Sequence, residues 1–567
     1  MTRTSSNQAL GSSSRTAEFD SASTTSQTTG KAKGKAPQRT LGAGTIGAGS
    51  RTASSSGGHP VRSSDSLGKI QKLVATEGRG AVTSSSAEFD ARVQATRRTK
   101  AVVDMGRVRR NFRTGLALIS SATPDKAARG GAVLKANAYG LGAVGFAKVL
   151  ASEGCRDFFV AELGEALELR RGLMAERPEL MDQITINVLN GLDTTVDPKE
   201  YVEQGIMPVL NGLDEVRHWN AIAADMKTGN KLKEHERLDC ILQFDSGMSR
   251  TGMSETEAAE LMAEIDAGRL PHIEPQLMMS HLGMAGAASA ETADPQTKER
   301  EPGAKTLEQL ERFNKIADQV KQRFPEIQES LGASSTVFLG KNELGKSLHK
   351  SMVRMGATFH AQAPFEADTN PLEPTLTVTS KLTKVTWYPA GEKAGYNGEY
   401  IVPEGGRTLA TFAAGWHDLL PDGHHWNHQS ADGRTPTVRV RTGDGTLHTC
   451  GFAGKMSMDM STIDVSGIPK DQLKAGLEVV LIDDDMTTDQ FAAQFGAGAS
   501  NVQARIASRV GVSHVESEPV PSRDAEPTPD LSPWSKQGRE DRLQKAAIRA
   551  GAFAAAQAAR DRGLGQG

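Results

Sequence analysis

The sequence predicts an α/β chain in which a (β/α)8 TIM-like barrel is followed by a mainly antiparallel β domain, with disordered tails at both ends. Up to about residue 360, helical segments alternate with short apolar runs, as in Val144–Ser152 before Phe158–Val160 and Glu165–Leu173 before Ile184–Val188. After Pro374 the pattern changes to alternating strands separated by turn residues. Repeated βα units favour a parallel sheet, which a barrel or a doubly wound sheet would satisfy.

The predicted domain bounds follow changes in composition along the chain. Residues 1–96 are rich in Ser, Thr, Gly and basic residues, a composition that cannot bury enough apolar surface to fold. We expect a disordered tail over 1–96, the barrel over 97–372, the β domain over 373–515, and a Pro-rich linker with a marginal Ala-rich helix over 516–567. The strands predicted for the β domain are Thr375–Thr383, Thr408–Phe412, Thr437–Arg441, Met460–Val465 and Glu478–Ile482.

Overall composition excludes several classes of protein. The net charge is −3 over 567 residues, so there is no global basic field for nucleic acid. No apolar stretch reaches the length of a membrane span or of a secretory signal peptide core, so we expect a cytoplasmic protein without membrane partners. Cys155, Cys240 and Cys450 are far apart, which favours reduced, buried thiols over a disulfide framework or a metal site.

Lys135 is the residue with the clearest chemical signal. It ends an apolar run, Val133-Leu134, just before a small turn that contains Gly140. The C-terminal ends of barrel strands face the active site, where partial desolvation can lower the pKa of an amine enough to form an imine with an aldehyde cofactor. The alternative for a lone lysine is a strand-end side chain that reaches solvent.

The surrounding residues favour the first interpretation. The string Lys135-Ala136-Asn137-Ala138-Tyr139-Gly140 resembles the pyridoxal-phosphate lysine motif of the alanine racemase family, and four more family motifs follow in the same order. These are matched by residues 244–252 (FDSGMSRTG), 352–356 (MVRMG), 389–396 (PAGEKAGY) and 454–459 (GKMSMD). The resemblance implies pyridoxal 5'-phosphate as cofactor and selects a barrel over a doubly wound sheet.

The resemblance also implies a role for each matched residue. Racemisation needs two acid–base groups on opposite faces of the substrate Cα, and these would be Lys135 and Tyr396. Arg250 would bind the substrate carboxylate and support the tyrosine, and Met458 would offer its backbone N–H to the same carboxylate. The residues expected to bind the cofactor, besides Lys135 itself, are Tyr139, His281, Ser335, Arg354, Gly356 and Ala357.

Three of these cofactor assignments depend on the resemblance alone. A tyrosine or a serine at a turn, such as Tyr139 or Ser335, is more often an ordinary turn residue, and His281 taken singly reads as a core histidine. Arg354 is expected to face the pyridine nitrogen of the cofactor and to donate a hydrogen bond to it, because a guanidinium does not release its proton. No metal is expected.

The family arrangement implies a homodimer. In the family, the tyrosine and the methionine reach the active site from the second subunit, so Tyr396 and Met458 are expected to complete the site of a partner chain. The other expected partner is a small amino-acid substrate.

Four positions depart from the family pattern. Gln243 stands where many members have a carbamylated lysine, and we expect it to hold Arg250 through an uncharged contact or a bound anion, with activity insensitive to bicarbonate. Leu141 replaces a histidine, Trp416 a tyrosine and Ser500 a phosphate-binding tyrosine. These changes concern substrate choice more than the two bases.

The predicted activity is therefore interconversion of L-alanine and D-alanine, the reaction of EC 5.1.1.1. A racemase of broad specificity is the first alternative. Another fold-type III enzyme, a decarboxylase or a D-hydroxyamino-acid aldolase, is the second. A non-enzymatic pyridoxal-phosphate homeostasis protein is a barrel alone, and the β pattern after residue 374 argues against it.

Overall fold

The computed structural model describes residues 86–120, 128–233, 236–285, 302–339, 347–362, 370–421 and 435–517, all within one compact unit that begins at Ser84. Most of the predicted N-terminal tail, and the predicted linker and helix beyond residue 517, lie outside the described residues. A helix, Ser86–Thr96, occupies part of the segment that the composition predicts to be disordered.

Eight parallel strands form the predicted barrel. The edges of the sheet approach each other where Ser351 N–H donates to Glu329 O at 3.0 Å and Arg354 N–H donates to Gly332 O at 3.1 Å. From one edge to the other, the strands are Gln328–Ser330, Ile273–Met279, Leu238–Gln243, Ile206–Leu210, Thr185–Val188, Asp157–Val160, Arg129–Val133 and Met352–Met355.

Most of the barrel strands are largely apolar because both of their faces are covered. Every residue of Thr185–Val188 and of Ile206–Leu210 is buried. One face of the sheet fills the barrel interior with a cluster of large side chains, Phe159, Met207, Val209, Ile241, Leu277, Met279 and Met352. The lumen is therefore a packed core, and the chemistry is left to the strand ends.

Helices alternate with these strands, as the sequence pattern predicts. Glu255–Asp266 begins with a capping box, in which Ser254 Oγ accepts from Glu257 N–H and the Glu257 carboxylate accepts from Ser254 N–H. The other helices along this part of the chain are Met105–Ser120, Ala143–Ser152, Leu163–Glu176, Lys199–Glu203, Leu213–Thr228 and Ala304–Lys321, with 3-10 turns at Pro178–Leu180, Ser334–Phe338 and Ala357–His360.

The second domain is a mainly antiparallel sheet, as predicted. Lys100–Asp104 pairs antiparallel with Leu376–Tyr388 and parallel with Gly511–Val515, so the strand that precedes the barrel in sequence belongs to this sheet. The remaining strands are Lys393–Ala394, Tyr400–Ile401, Arg407–Phe412, Thr437–Arg441, Leu447–Gly451, Ser461–Asp464 and Glu478–Ile482, with short helices at Thr488–Ala493 and Ala499–Ala504 and 3-10 turns at Tyr396–Gly398 and Lys470–Gln472.

The two domains meet beside the lysine turn. The carbonyl of Leu141 lies 2.7 Å from His514 Nε2, on the last strand of the β domain. A Cβ at Gly140, which has φ +84°, would lie 2.6 Å from Gln503 O, so this close approach and the left-handed backbone both require glycine. The last helix of the β domain therefore lies against the turn that follows Lys135.

Two structural findings in the described part of the chain bear on the expectations from composition. The three cysteines are free and buried. None of the helices described is both long enough and apolar enough to cross a membrane.

Candidate active site

Lys135 opens a turn of left-handed helix directly after the strand Arg129–Val133. Residues 136–139 have φ values of 51°, 54°, 53° and 58°, although none of them is glycine. A left-handed helical conformation costs an L-residue roughly 1–2 kcal/mol. Such a turn persists only where surrounding contacts determine it.

Hydrogen bonds within the turn and to neighbouring segments stabilise it. Ala138 N–H donates to Leu134 O at 2.8 Å, and Gly140 N–H donates to Ala136 O at 2.7 Å. The side chain of Asn137 accepts from Ala143 N–H at 2.8 Å, which ties the turn to the next helix. Ala136 N–H donates to a carboxylate oxygen of Glu165 at 2.6 Å.

The amine of Lys135 is partly buried among charged groups. Burial and the positive charge of Arg250 lower its pKa, while the negative charge of Glu165 opposes that shift. A lowered pKa increases the fraction of neutral amine near neutral pH, and the neutral amine is the form that attacks an aldehyde. The lowered pKa agrees with the role expected of Lys135, and the role itself stays a prediction.

Arg354, on the strand Met352–Met355, and His281, just after the strand Ile273–Met279, lie together across the short strand Gln328–Ser330. The Arg354 guanidinium donates to Ser330 O at 3.0 Å and to Ser280 O at 2.6 Å, and it lies 3.5 Å from His281 Nδ1. Burial lowers the pKa of Arg354 to about 9, and burial together with the charge of Arg354 lowers the pKa of His281 to about 3. At neutral pH the site therefore holds a charged arginine beside a neutral imidazole.

Arg250 lies on an exposed loop and completes this charged cluster. Its positive charge contributes to lowering the pKa of Lys135, His281 and Arg354, so it lies within electrostatic reach of all three. The loop is shaped by Asp245, whose carboxylate accepts from the backbone N–H groups of residues 247, 248 and 249.

Gln243 is the last residue of the barrel strand Leu238–Gln243 and is 4% exposed. Its side-chain amide donates to Thr251 Oγ1 at 2.6 Å, so its described hydrogen bond goes to the neighbour of Arg250 and not to Arg250 itself. Gln243 thus contacts the loop of Arg250 through the Thr251 side chain, and the expected uncharged contact with Arg250, or a bound anion in its place, stays a prediction.

A small cradle lies between the lysine turn and the turn after Arg354. The backbone N–H groups of Gly356 and Thr358 both donate to Ser334 Oγ, at 2.9 and 3.3 Å. A Cβ at Gly356 would lie 2.6 Å from Tyr139 Oη, so only glycine lets the tyrosine hydroxyl approach these donors. Burial raises the pKa of Tyr139 to about 12, which keeps it a protonated donor. The family resemblance assigns Ser335 to this site, whereas the serine that accepts from these two N–H groups is its neighbour Ser334.

Tyr396 and Met458 lie on the β domain and are mostly exposed, 62% and 53% respectively. The backbone segments that carry them pack together, because a Cβ at Gly395 would lie 2.8 Å from Lys455 N. The described groups that shift the pKa of Lys135 are Arg250 and Glu165, and Tyr396 is not among them. One chain therefore brings the barrel residues together and presents Tyr396 and Met458 outward.

The other positions that depart from the family pattern have local partners. Leu141 is fully buried, and Ser500 Oγ donates to Gln362 Oε1 at 2.5 Å. Trp416 donates its backbone N–H to Ser457 O at 3.2 Å, which places it beside the turn that carries Met458.

Sequence reasoning missed three residues that shape the site. Glu165 contacts the lysine turn, Ser334 occupies the paired donors, and His360 packs 5.0 Å from the Tyr139 ring, centroid to centroid. Glu165 lies three residues into its helix, where a glutamate that reaches back to the preceding backbone is a familiar pattern. No sequence signal points to His360.

Profiles of known protein families match most of the chain. The profile described as alanine racemase, N-terminal domain, matches residues 103–364, and that described as alanine racemase, C-terminal domain, matches residues 375–514. A catabolic alanine racemase from Rhizobium johnstonii is 33% identical over 399 residues, covering 70% of this chain and 89% of that protein. An alanine racemase from Methylobacterium nodulans is 30% identical over 415 residues, covering 73% of this chain and 95% of that protein.

Solved structures share the fold at lower identity. An alanine racemase from Bartonella henselae, with covalently bound pyridoxal phosphate, superposes with a TM-score of 0.59 at 24% identity, covering 74% of this chain and 99% of that one. An alanine racemase from Streptomyces coelicolor gives a TM-score of 0.59 at 23% identity, covering 74% and 98%. These likenesses concern the arrangement of barrel and β domain.

Proposed function

Because the chain belongs to the alanine racemase family, we propose that it interconverts L-alanine and D-alanine with pyridoxal 5'-phosphate as cofactor. The observation that carries the proposal is the partly buried amine of Lys135 at a C-terminal strand end, with its pKa lowered by burial and by Arg250. That is the environment in which a lysine serves as a cofactor anchor and as a base.

The residues around Lys135 fit this cofactor. The N–H groups of Gly356 and Thr358 converge on one oxygen, Ser334 Oγ, at the start of a 3-10 turn, and paired donors of this kind bind a phosphate oxygen well. Tyr139 Oη lies beside them. We propose that Tyr139, Ser335, Gly356 and Ala357 hold the phosphate, with the Thr358 N–H beside them as a further donor, while Lys135 holds the aldehyde end.

Arg354 and His281 would contact the ring of the cofactor. When bound, the cofactor supplies a conjugated system that stabilises negative charge at the substrate Cα. Arg354 is fixed by Ser330 and Ser280, so it can present N–H donors to a ring nitrogen without releasing a proton. The neutral His281 adds no further positive charge, which limits electrostatic repulsion among Arg354, Arg250 and Lys135.

Racemisation needs a proton removed from one face of Cα and returned to the other. We propose Lys135 for one face and Tyr396 for the other, with Arg250 and the backbone N–H of Met458 binding the substrate carboxylate. Since Tyr396 and Met458 lie on one exposed surface of the β domain, we propose that they enter the site of a second copy of this chain. Trp387, Ile401 and Met460 are also exposed, which supports a covered face on this domain.

The proposal is tested by incubating the purified full-length chain and pyridoxal 5'-phosphate with single L-amino acids and separating the enantiomers of the product. We expect D-alanine to form from L-alanine and L-alanine to form from D-alanine, with both reactions reaching the same final mixture. Faster turnover of several other amino acids would favour the broad-specificity alternative. Release of CO₂ or of an aldehyde without a change of configuration would contradict the proposed racemisation.

A further inference from the structure

The carboxylate of Glu165 links the turn that carries Lys135 to the end of the neighbouring barrel strand. One oxygen accepts from Ala136 N–H at 2.6 Å, on the residue that follows the lysine. The other accepts from Ala161 N–H at 2.7 Å, just beyond the neighbouring strand Asp157–Val160. A single side chain thus fixes the backbone immediately after Lys135 to the adjacent strand end.

The same arrangement recurs two βα units later in the barrel. Glu215 occupies the third position of the helix Leu213–Thr228, as Glu165 does in Leu163–Glu176. Its carboxylate accepts from Asn211 N–H at 2.8 Å and from Leu192 N–H at 3.4 Å. Both glutamates therefore bridge two strand ends, although Glu215 accepts both N–H groups on one oxygen, and of the two only Glu165 contacts the turn that carries Lys135.

The lysine turn has a particular need for such a contact. Four consecutive non-glycine residues adopt left-handed φ angles, a conformation that L-residues adopt only under constraint. Beside the turn lies a partly open pocket of about 220 Å³, lined in part by Ala136, Asn137, Glu165 and Glu168. Side chains therefore leave space open beside the turn, and the hydrogen bond from Ala136 N–H to Glu165 is one of the contacts that restrain it.

We infer that Glu165 is a positioning residue that holds the left-handed turn and thereby sets the direction in which the Lys135 amine enters the site. The inference rests on the proposed function in one respect, that Lys135 is the cofactor lysine. Glu165 also provides a negative charge beside an amine that faces the positive charge of Arg250, with the neutral His281 as the other titratable neighbour. The effect of Glu165 on the position of the turn and its effect on the charge near the amine can be separated, because different substitutions of Glu165 change them.

The backbone contact is tested by hydrogen–deuterium exchange on the cofactor-free full-length chain, resolved at the Ala136 amide. Glu165→Leu removes every acceptor at this position, and loss of a hydrogen bond to a charged group is expected to speed exchange at Ala136 about tenfold or more. Glu215→Leu is the matched control: it should speed exchange at Leu192 and Asn211 and leave Ala136 unchanged. Wild-type exchange at Ala136 in Glu165→Leu, or an equal change there in Glu215→Leu, would overturn the inference.

The amine itself is tested by acetylation of Lys135 with acetic anhydride at fixed pH, quantified by mass spectrometry. Removing the negative charge in Glu165→Gln favours the neutral amine and should raise the labelling rate roughly two- to tenfold. Glu165→Asp keeps the charge but is too short to bridge both amides, so it should speed exchange at Ala136 or at Ala161 without raising the labelling rate. Neither measurement requires turnover, so absence of racemase activity would defeat the proposed function and leave this inference standing.

Discussion

At the scale of single residues, the site depends on how burial and charge act on one amine. Lys135 and Lys350 are both partly buried barrel lysines, and burial lowers the pKa of each. They differ in where they lie. Lys350 precedes the strand Met352–Met355 and is bound by Asn314 Oδ1 at 2.6 Å, whereas Lys135 follows its strand and faces Arg250. Only the C-terminal end of the barrel places an amine where substrates bind.

This contrast gives a direct prediction for Lys135. Lys135→Ala should abolish the visible absorbance of the covalently bound cofactor, and dialysis should remove any cofactor that remains. Lys350→Ala is the matched control and should keep the absorbance. An absorption spectrum of Lys135→Ala that matches wild type and survives dialysis would show that another residue carries the cofactor.

A second prediction at this scale concerns the face of the substrate Cα that each base serves. Because each base serves one face of Cα, Tyr396→Phe should lose exchange of the α-proton with solvent deuterium far more for one alanine enantiomer than for the other. Proton exchange followed by NMR for L- and D-alanine separately measures the asymmetry. Equal losses for both enantiomers would exclude Tyr396 as a one-face base.

At the scale of elements, the site is assembled from short segments that end barrel strands. The 3-10 turn Ala357–His360 follows the strand of Arg354, carries the proposed phosphate donors and ends at His360. His360 is 3% exposed and packs between the rings of Tyr139 and Phe146, and neither of its ring nitrogens has a hydrogen-bond partner in the described structure. A buried, unpaired imidazole makes this element sensitive to acid.

The direction of that sensitivity follows from proton linkage. Burial lowers the pKa of folded His360 from 6.5 to about 3. Between these values the unfolded chain binds a proton that the folded chain does not, so folding stability is fully present above pH 6.5 and is lost as the pH falls. The loss is about 1.4 kcal/mol per pH unit.

His360→Phe should therefore flatten the dependence of the free energy of unfolding on pH. Relative to the variant, wild type is expected to lose about 2 kcal/mol more between pH 6.5 and pH 5, measured by urea denaturation. His218→Phe, at an exposed position on the helix Leu213–Thr228, is the control and should keep the wild-type slope. Parallel curves for wild type and His360→Phe would mean that His360 does not remain neutral in the fold.

At the scale of the whole molecule, the barrel and the β domain have separate shares of the proposed chemistry. The barrel brings Lys135, Arg250, His281 and Arg354 together. The β domain packs against the lysine turn through His514 and Gln503, yet it presents Tyr396 outward. A single chain with both domains folded is therefore expected to bind cofactor without racemising.

Mixing inactive variants tests this division. Lys135→Ala and Tyr396→Phe subunits are each expected to be inactive, and subunit exchange should produce mixed dimers with one intact site out of two. Recovery of activity is measured after exchange, with dimers verified by sedimentation. Verified mixed dimers without recovered activity would indicate that Tyr396 acts within its own chain or not at all.

The sequence by itself determined the alternation of helices and strands, the change from parallel to antiparallel architecture, and the choice of Lys135 as the candidate cofactor lysine. These depend on local patterns: apolar periodicity, turn residues and a charged side chain that ends an apolar run all act within a few residues. Contacts between distant segments could not be read in this way. The bridge from Glu165 to Ala136 and the hydrogen bond from Gln243 to Thr251 were decided by the tertiary structure, because both depend on which strand ends the barrel brings together. The pairing of Lys100–Asp104 with Gly511–Val515 was decided there too, because it depends on how the sheet of the second domain is assembled.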